Sequence, residues 1–185
     1  MSDLLIVAGP PGSGKSTVAA LLADRHQRSI LVEGDTFFTF LRRGAIDPWR
    51  PESNAQNEAV TRAAGAATGR FAATGVPTVY DGVLGPWSLP EFLAATGLDG
   101  ADWAVLLPPR EVCLERVASR RGHGFNDAEA GAHMHAQFAD APIDPRHVVD
   151  ILAAPDEVAD VVAERAAAGL LHWPAAEPAV ARPNG

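Results

Sequence analysis

The chain has 185 residues, 47% of them hydrophobic, a size and composition that predict one domain with a buried sheet. Its net charge is −8 and its arginines form no basic stripe, which argues against a nucleic acid or an anionic membrane as partner and favours a small ligand. The single cysteine, Cys113, excludes an internal disulfide and is typical of a reducing compartment, so we expect the cytoplasm.

Short apolar segments alternate with longer segments of helical spacing. The first, from Leu4 to Ala8, is too short to span a membrane and lacks the basic start of a signal peptide, so it predicts a buried strand. Further strands are predicted at residues 30–32, 76–80, 103–107 and 148–152. Helices are predicted at residues 17–25, 52–73, 89–95, 110–121, 128–139 and 156–168.

This alternation predicts an α/β fold with a five-stranded parallel sheet, helices on both faces, and ligands at the carboxyl ends of the strands. Two prolines, Pro48 and Pro51, forbid a continuous helix just before residue 52. The glycines on either side of His123 suit a small lid, which we place at about residues 121–138, and equally suit an ordinary turn. We expect the domain to cover residues 1–170 and residues 171–185 to form a flexible tail.

The segment that follows the first predicted strand has the complete phosphate-loop pattern of a glycine, four residues and then Gly-Lys-Ser. Its glycines let the backbone wrap around phosphate oxygens, while Lys15 is expected to reach the β and γ phosphates and the Ser16 hydroxyl to coordinate magnesium. Lys15 is also the only lysine in these 185 residues. The residues predicted to bind the triphosphate are Gly9, Gly12, Ser13, Gly14, Lys15, Ser16 and Thr17.

Two acidic residues follow predicted strands, at the edge of the sheet where ligands bind. Asp35 is the first candidate for a general base that accepts a proton from a substrate hydroxyl, although it also suits the cap of a helix beginning at Thr36. Asp81 closes an apolar run, as expected of the Walker carboxylate that holds magnesium through water, and it remains the second candidate for the base.

Several larger side chains are candidates for contacts with substrate or phosphate. Trp87 is expected to stack on a substrate or to serve in packing. Arg42, Arg43 and Arg50 surround the proline-rich break and are expected either to recognise an anionic or polyhydroxy substrate or to be ordinary surface arginines. Arg116 and Arg120 lie four residues apart on one predicted helix face, from which they are expected to neutralise charge on the phosphates. The alternative for Arg116 is an exposed pair with Glu115.

The sequence resembles the small P-loop kinases of metabolites and antibiotics, including gluconate kinases and the chloramphenicol phosphotransferase-like proteins. The resemblance covers most of residues 3–168 and rests on the phosphate loop at 9–17, on Gly34-Asp35, and on Arg116 with residues 120–123. It implies a three-layer sandwich with strand order 2-3-1-4-5, ATP and Mg²⁺ as cofactors, and transfer of the γ-phosphoryl group to a hydroxyl of a small molecule. It further implies that adenine lies near the Arg116 helix and residues 153–155.

The sequence departs from gluconate kinases after the strand-two acid, where residues 36–40 are largely aromatic. The departure favours a less polar acceptor, such as a natural product or an antibiotic. A GTPase is excluded because its Asn-Lys-x-Asp segment needs a second lysine. A toxin-type sugar-nucleotide kinase and an ATP-binding regulator remain open.

Overall fold

The computed structural model describes residues 3–119 and 127–174. Five parallel strands form the sheet in the order β2-β3-β1-β4-β5, and β6 pairs with β4 in the antiparallel direction. The strands are β1 (Leu4–Ala8), β2 (Ile30–Glu33), β3 (Thr78–Gly82), β4 (Ala101–Leu106), β5 (Val148–Val149) and β6 (His172–Trp173). The helices are α1 (Lys15–Asp24), α2 (Asp35–Phe38), α3 (Asn54–Ala72), α4 (Leu89–Thr96), α5 (Arg110–Ser119), α6 (Ala128–Ala139) and α7 (Pro155–Ala167).

The strand alternation divides the core between the two faces of the sheet. In β1, Leu4 and Ile6 point to the face covered by α3 and α4, whereas Val7 points to the face covered by α1 and α7. Both faces are apolar because helices cover both, as in other parallel sheets. The three-layer architecture and the order of the five parallel strands confirm the prediction. No helix in the described ranges is long and apolar enough to cross a membrane.

The C-terminal boundary differs from the sequence-based expectation. Leu171 is fully buried, and His172 and Trp173 pair with the first residues of β4, so the ordered fold extends at least to Pro174. A two-residue strand has too little periodicity to be recognised, and its position depends on a pairing with a distant segment. The predicted tail therefore begins too early by at least four residues.

A buried histidine gives the stability of the fold a pH dependence. His147 is 2% exposed, and its Nδ1 lies 2.9 Å from the carbonyl oxygen of Trp103. Burial lowers the pKa of His147, although the hydrogen bond to Trp103 opposes this shift. Below a pH of about 6.5 the unfolded chain binds a proton that the folded state resists, so the free energy of unfolding decreases as the pH falls.

We expect His147→Gln to reduce this pH dependence, because glutamine does not titrate there. The free energy of unfolding is measured with urea at several pH values, from pH 7.5 to below the normal pKa of histidine. The matched variant His133→Gln removes an exposed histidine and should keep the wild-type slope. An unchanged slope in His147→Gln would show that another group causes the acid destabilisation.

Candidate active site

The phosphate loop connects the end of β1 to the start of α1. Gly12 and Gly14 have φ values of 81° and 93°, in the region that favours glycine, and Lys15 is the first residue of the helix. The loop therefore directs its amides and the helix N-terminus toward the same space. This geometry suits an anion such as phosphate.

Helix α5 supports the loop from outside. The Nη1 atom of Arg116 donates to the carbonyl oxygens of Gly12 and Ser13, at 3.4 Å each. The Arg116 side chain is therefore directed at the loop, which distinguishes it from an isolated surface arginine. A Cβ atom at Gly12 would collide with the backbone of Cys113 on the same helix.

This close approach predicts that Gly12→Ala disrupts both the loop and its packing. The matched variant is Gly75→Ala, because Gly75 has a similar φ of 73° but an added Cβ would meet nothing within 4 Å. We expect Gly75→Ala to lower the free energy of unfolding by about 1–2 kcal/mol, which is the cost of a left-handed conformation for a residue with a Cβ atom. Gly12→Ala should lower the free energy of unfolding, measured with urea, by more than this. It should also abolish ATP binding, measured by calorimetry. Equal losses in both variants would contradict the role of the helix contact.

Asp81, Lys15 and Ser16 meet at the end of β3. Asp81 and Lys15 are 7% and 6% exposed. Burial raises the pKa of Asp81, whereas the charge of Lys15 and a hydrogen bond from Ser16 oppose the shift. The Oδ1 atom of Asp81 is buried and has no hydrogen-bond partner among the described residues. A carboxylate with a free oxygen beside a hydroxyl fits the oxygen ligands that Mg²⁺ prefers, so Ser16 and Asp81 are the residues that would hold it.

Asp35 is placed differently from Asp81. It is exposed at the first position of α2, where Gly34 is the cap residue, and no side chain caps the helix. The amide of Gly34 donates to the carbonyl oxygen of Asp81 at 2.7 Å and so holds the ends of β2 and β3 together. This contact keeps the start of α2 close to Asp81. The side chain of Asp35 itself is exposed and thus open to a ligand.

The buried side chain of Tyr80 lies close to both of these acidic residues. Its ring packs under Gly34, where an added Cβ would collide with the phenol oxygen. Burial, and then the charges of Asp35 and Asp81, raise the pKa of Tyr80, so its hydroxyl stays protonated at neutral pH. Tyr80 had no functional signal in the sequence, where it appears only as an apolar strand residue.

A cavity of about 600 Å³ opens next to the loop. Asp35, Lys15 and Trp87 line it, so the structure brings these three predicted residues together. Arg42 is exposed and is not among the lining residues, whereas Arg50 is. A contact of Arg42 with the substrate therefore stays a prediction, whereas Arg50, another candidate from the proline-rich break, lies at the described wall of the cavity.

One face of α3 also lines the large cavity, which the sequence analysis missed. Its polar residues Asn54, Asn57, Glu58 and Thr61 recur at helical spacing and all border the cavity. That spacing was visible in the sequence. It indicated only an exposed helix face, however, because nothing showed which side of the helix a ligand would meet.

Helix α6 closes another side of the large cavity, and it is anchored to the core. Phe138 is 1% exposed and makes an edge-to-face contact with Trp87, with ring centroids 5.0 Å apart. His135 is buried with Nε2 2.9 Å from the carbonyl oxygen of Pro108, whereas His133 lines the cavity. The C-terminal part of the expected lid at about 121–138 therefore lies in a helix that packs against the core, and the lid itself stays a prediction. Its remainder, with Arg120 and the glycines around His123, lies outside the described residues.

A second cavity of about 300 Å³ lies on the other side of the loop. Ser13, Gly14 and Thr17 border it, together with Arg116. Its far wall includes Ala153 and Pro155, the segment near which the resemblance implies adenine. The phosphate loop therefore separates two cavities of different size.

Comparisons with known proteins agree with this architecture. The sequence matches the model of the family described as AAA domain over residues 4–142. No curated protein has a significant sequence match to the chain.

Solved structures provide three further likenesses, each at 20% sequence identity. A sugar kinase from Janibacter sp. HTCC2649 superimposes with a TM-score of 0.70, over 90% of this chain and 95% of that one. The tunicamycin resistance protein of Deinococcus radiodurans has a TM-score of 0.64, over 95% and 100%. A gluconokinase from Sinorhizobium meliloti 1021 has a TM-score of 0.60, over 90% and 92%. The protein shares the fold of these small P-loop proteins, and its sequence match shows that it belongs to the AAA domain family.

Proposed function

We propose that this protein is an ATP-dependent phosphotransferase that transfers the γ-phosphoryl group to a hydroxyl of a small molecule. The observation that carries the proposal is the position of the phosphate loop between a cavity of about 300 Å³ and one of about 600 Å³. A hydrolase or a simple nucleotide sensor needs only the smaller cavity, for the nucleotide. The large cavity offers an acceptor a separate binding space beside Lys15 and Asp35.

Asp35 is the base in this proposal. Of the two candidate acids, Asp35 is exposed and lines the large cavity, whereas Asp81 is buried beside Lys15 and Ser16. The acceptor oxygen gives its proton to Asp35 and forms a bond to the γ phosphorus, while the bond between that phosphorus and the bridging oxygen breaks and ADP leaves.

The other residues stabilise charge. In this proposal Lys15 neutralises the β and γ phosphates, and Arg116 supports the loop through its contacts with the carbonyl oxygens of Gly12 and Ser13. Mg²⁺ supplies further charge neutralisation when Ser16 and Asp81 hold it. Arg120, outside the described residues, stays a candidate for the same task from the lid.

The acceptor class in this proposal is a metabolite, natural product or antibiotic, and the place of action is the cytoplasm, where ATP and Mg²⁺ are present. The large cavity has many apolar lining residues. That lining supports a compound less polar than gluconate, as the aromatic residues at 36–40 also do.

The test is a screen of hydroxyl compounds and nucleosides with the chain, ATP and Mg²⁺. The expected result is ADP formation that depends on an acceptor, and an acceptor mass increased by one phosphoryl group. Transfer to a sugar nucleotide alone would favour the toxin-type kinase. ATP binding with no transfer to any acceptor, and with a biological effect that survives Asp35→Ala, would favour the regulator.

A further inference from the structure

The walls of the large cavity are unevenly composed, and they limit the chemistry of the acceptor. Part of the wall is aromatic or apolar and suits a ring or an alkyl group: Phe38, Pro48, Trp49, Pro51, Val83, Leu84, Trp87 and Met134. Such surfaces attract apolar ligands, and their aromatic faces also attract cations.

Among the described residues, carboxylates outnumber cations around the acceptor space. Asp35, Glu58 and Glu91 line the cavity, and Lys15 and Arg50 are the cations in its described lining. Arg50 itself is engaged by Asp47, with Nε 3.1 Å from the carboxylate. Lys15 and Asp81 form a separate buried group at the phosphate loop.

Glu58 and Glu91 share a single cation. Arg62 contacts a carboxylate oxygen of Glu58 through Nη2, and its Nε lies 2.5 Å from Glu91. Within the described residues, the walls of the acceptor space and the residues that pair with them thus contain four carboxylates, Asp35, Asp47, Glu58 and Glu91, against three cations, Lys15, Arg50 and Arg62. The excess of negative charge lies at Glu58 and Glu91, where two carboxylates share one guanidinium group, so an ammonium group would be attracted there and a carboxylate or phosphate repelled.

We propose that the acceptor is an amphipathic hydroxyl compound that carries a basic amine, with its apolar part against the aromatic wall and its ammonium near Glu58 and Glu91. The proposal rests on the proposed phosphotransferase function and specifies the acceptor. It also gives α3 and the first turn of α4 a role in selecting substrates.

The test uses three probes with the same benzylic hydroxyl: 2-amino-1-phenylethanol, its N-acetyl derivative, and mandelate. Binding to the full chain with Mg²⁺ and ADP is measured by ligand-observed NMR titration, which detects weak complexes. We expect the ammonium probe to bind more tightly than the neutral probe by about fivefold or more, and mandelate to bind least. A flat ranking, a preference for mandelate, or no binding of the ammonium probe would overturn the proposal.

Variants of the shared ion pair provide opposite expectations. Glu58→Gln with Glu91→Gln leaves Arg62 uncompensated and should reverse the ranking toward mandelate, whereas Arg62→Gln should strengthen the preference for the ammonium probe. Glu164→Gln removes an exposed carboxylate on α7, on the other side of the sheet, and should change nothing. If all variants keep the wild-type ranking, the two glutamates do not select the acceptor.

A parallel assay with ATP separates this proposal from the function on which it rests. Selective binding of the ammonium probe without transfer to any hydroxyl in the wider screen would retain the charge selectivity and reject the phosphotransferase. If transfer to neutral or anionic acceptors is as efficient as transfer to acceptors with an amine, the phosphotransferase function is retained and the charge selectivity is rejected.

Discussion

Asp35→Asn is expected to lower the rate of phosphoryl transfer by about 10³-fold while ATP still binds. The carboxylate is exposed in the large cavity and makes no capping contact with α2, so asparagine removes the proton acceptor and leaves the fold intact. The measurement compares kcat for the acceptor with the affinity for ATP, determined by calorimetry. An amide has nearly the same shape, so a rate loss of this size would report chemistry and not misfolding.

The matched control for Asp35→Asn is Glu33→Gln. Glu33 is an exposed carboxylate at the end of β2, two residues before Asp35, and it is not among the described lining of the large cavity. Its charge acts on Asp81 as that of Asp35 does. A similar rate loss in both variants would mean that the rate depends on negative charge near Asp81 and that Asp35 is not the base.

Lys15→Met is expected to reduce transfer by about 10²–10³-fold and to weaken ATP binding as well. Lys15 is buried at the start of α1, and its charge acts on the Asp81 carboxylate. Methionine keeps the length of the side chain but cannot neutralise phosphate. Thermal unfolding should show that ATP stabilises the wild type and fails to stabilise the variant. Undiminished stabilisation by ATP would reject the assignment of Lys15 to the phosphates.

The unique lysine gives this prediction an independent measurement. Amine-selective acylation of the folded chain, followed by peptide mass analysis, should modify Lys15 slowly because it is 6% exposed. ATP with Mg²⁺ should slow the modification further, while the N-terminal amine serves as an internal control. Equal labelling of Lys15 with and without ATP would contradict a phosphate contact.

The fold was largely predictable because each element had its own local signal. The strand at Leu4–Ala8 is a short apolar run between polar segments, and the glycine-rich loop fixes the start of α1. The exception is β6, which is held by pairing with β4 and by the burial of Leu171, two interactions between segments far apart in the chain.

The residues of the candidate site could be predicted only where they belong to a recognisable sequence motif or directly follow a predicted strand. The loop residues and the acids after the strands follow from chemistry at fixed positions, as Asp35 shows. Glu58 could not be assigned, because whether it faces the cavity depends on how α3 is rotated. The sequence also could not distinguish Arg50, which lines the cavity, from Arg42 and Arg43, because their positions depend on the path of the chain through the proline-rich break.

The pairing of β6 determines where an attached group would leave the molecule. His172 and Trp173 lie beside the first residues of β4, whereas the phosphate loop follows the last residue of β1, next to Val105 at the opposite end of the sheet. A fluorescent reporter or a surface tether joined after the described C-terminal strand would therefore emerge far from both cavities. Immobilised protein should consequently bind nucleotide and acceptor as the free protein does, provided that the junction leaves Leu171 in place to seal the core.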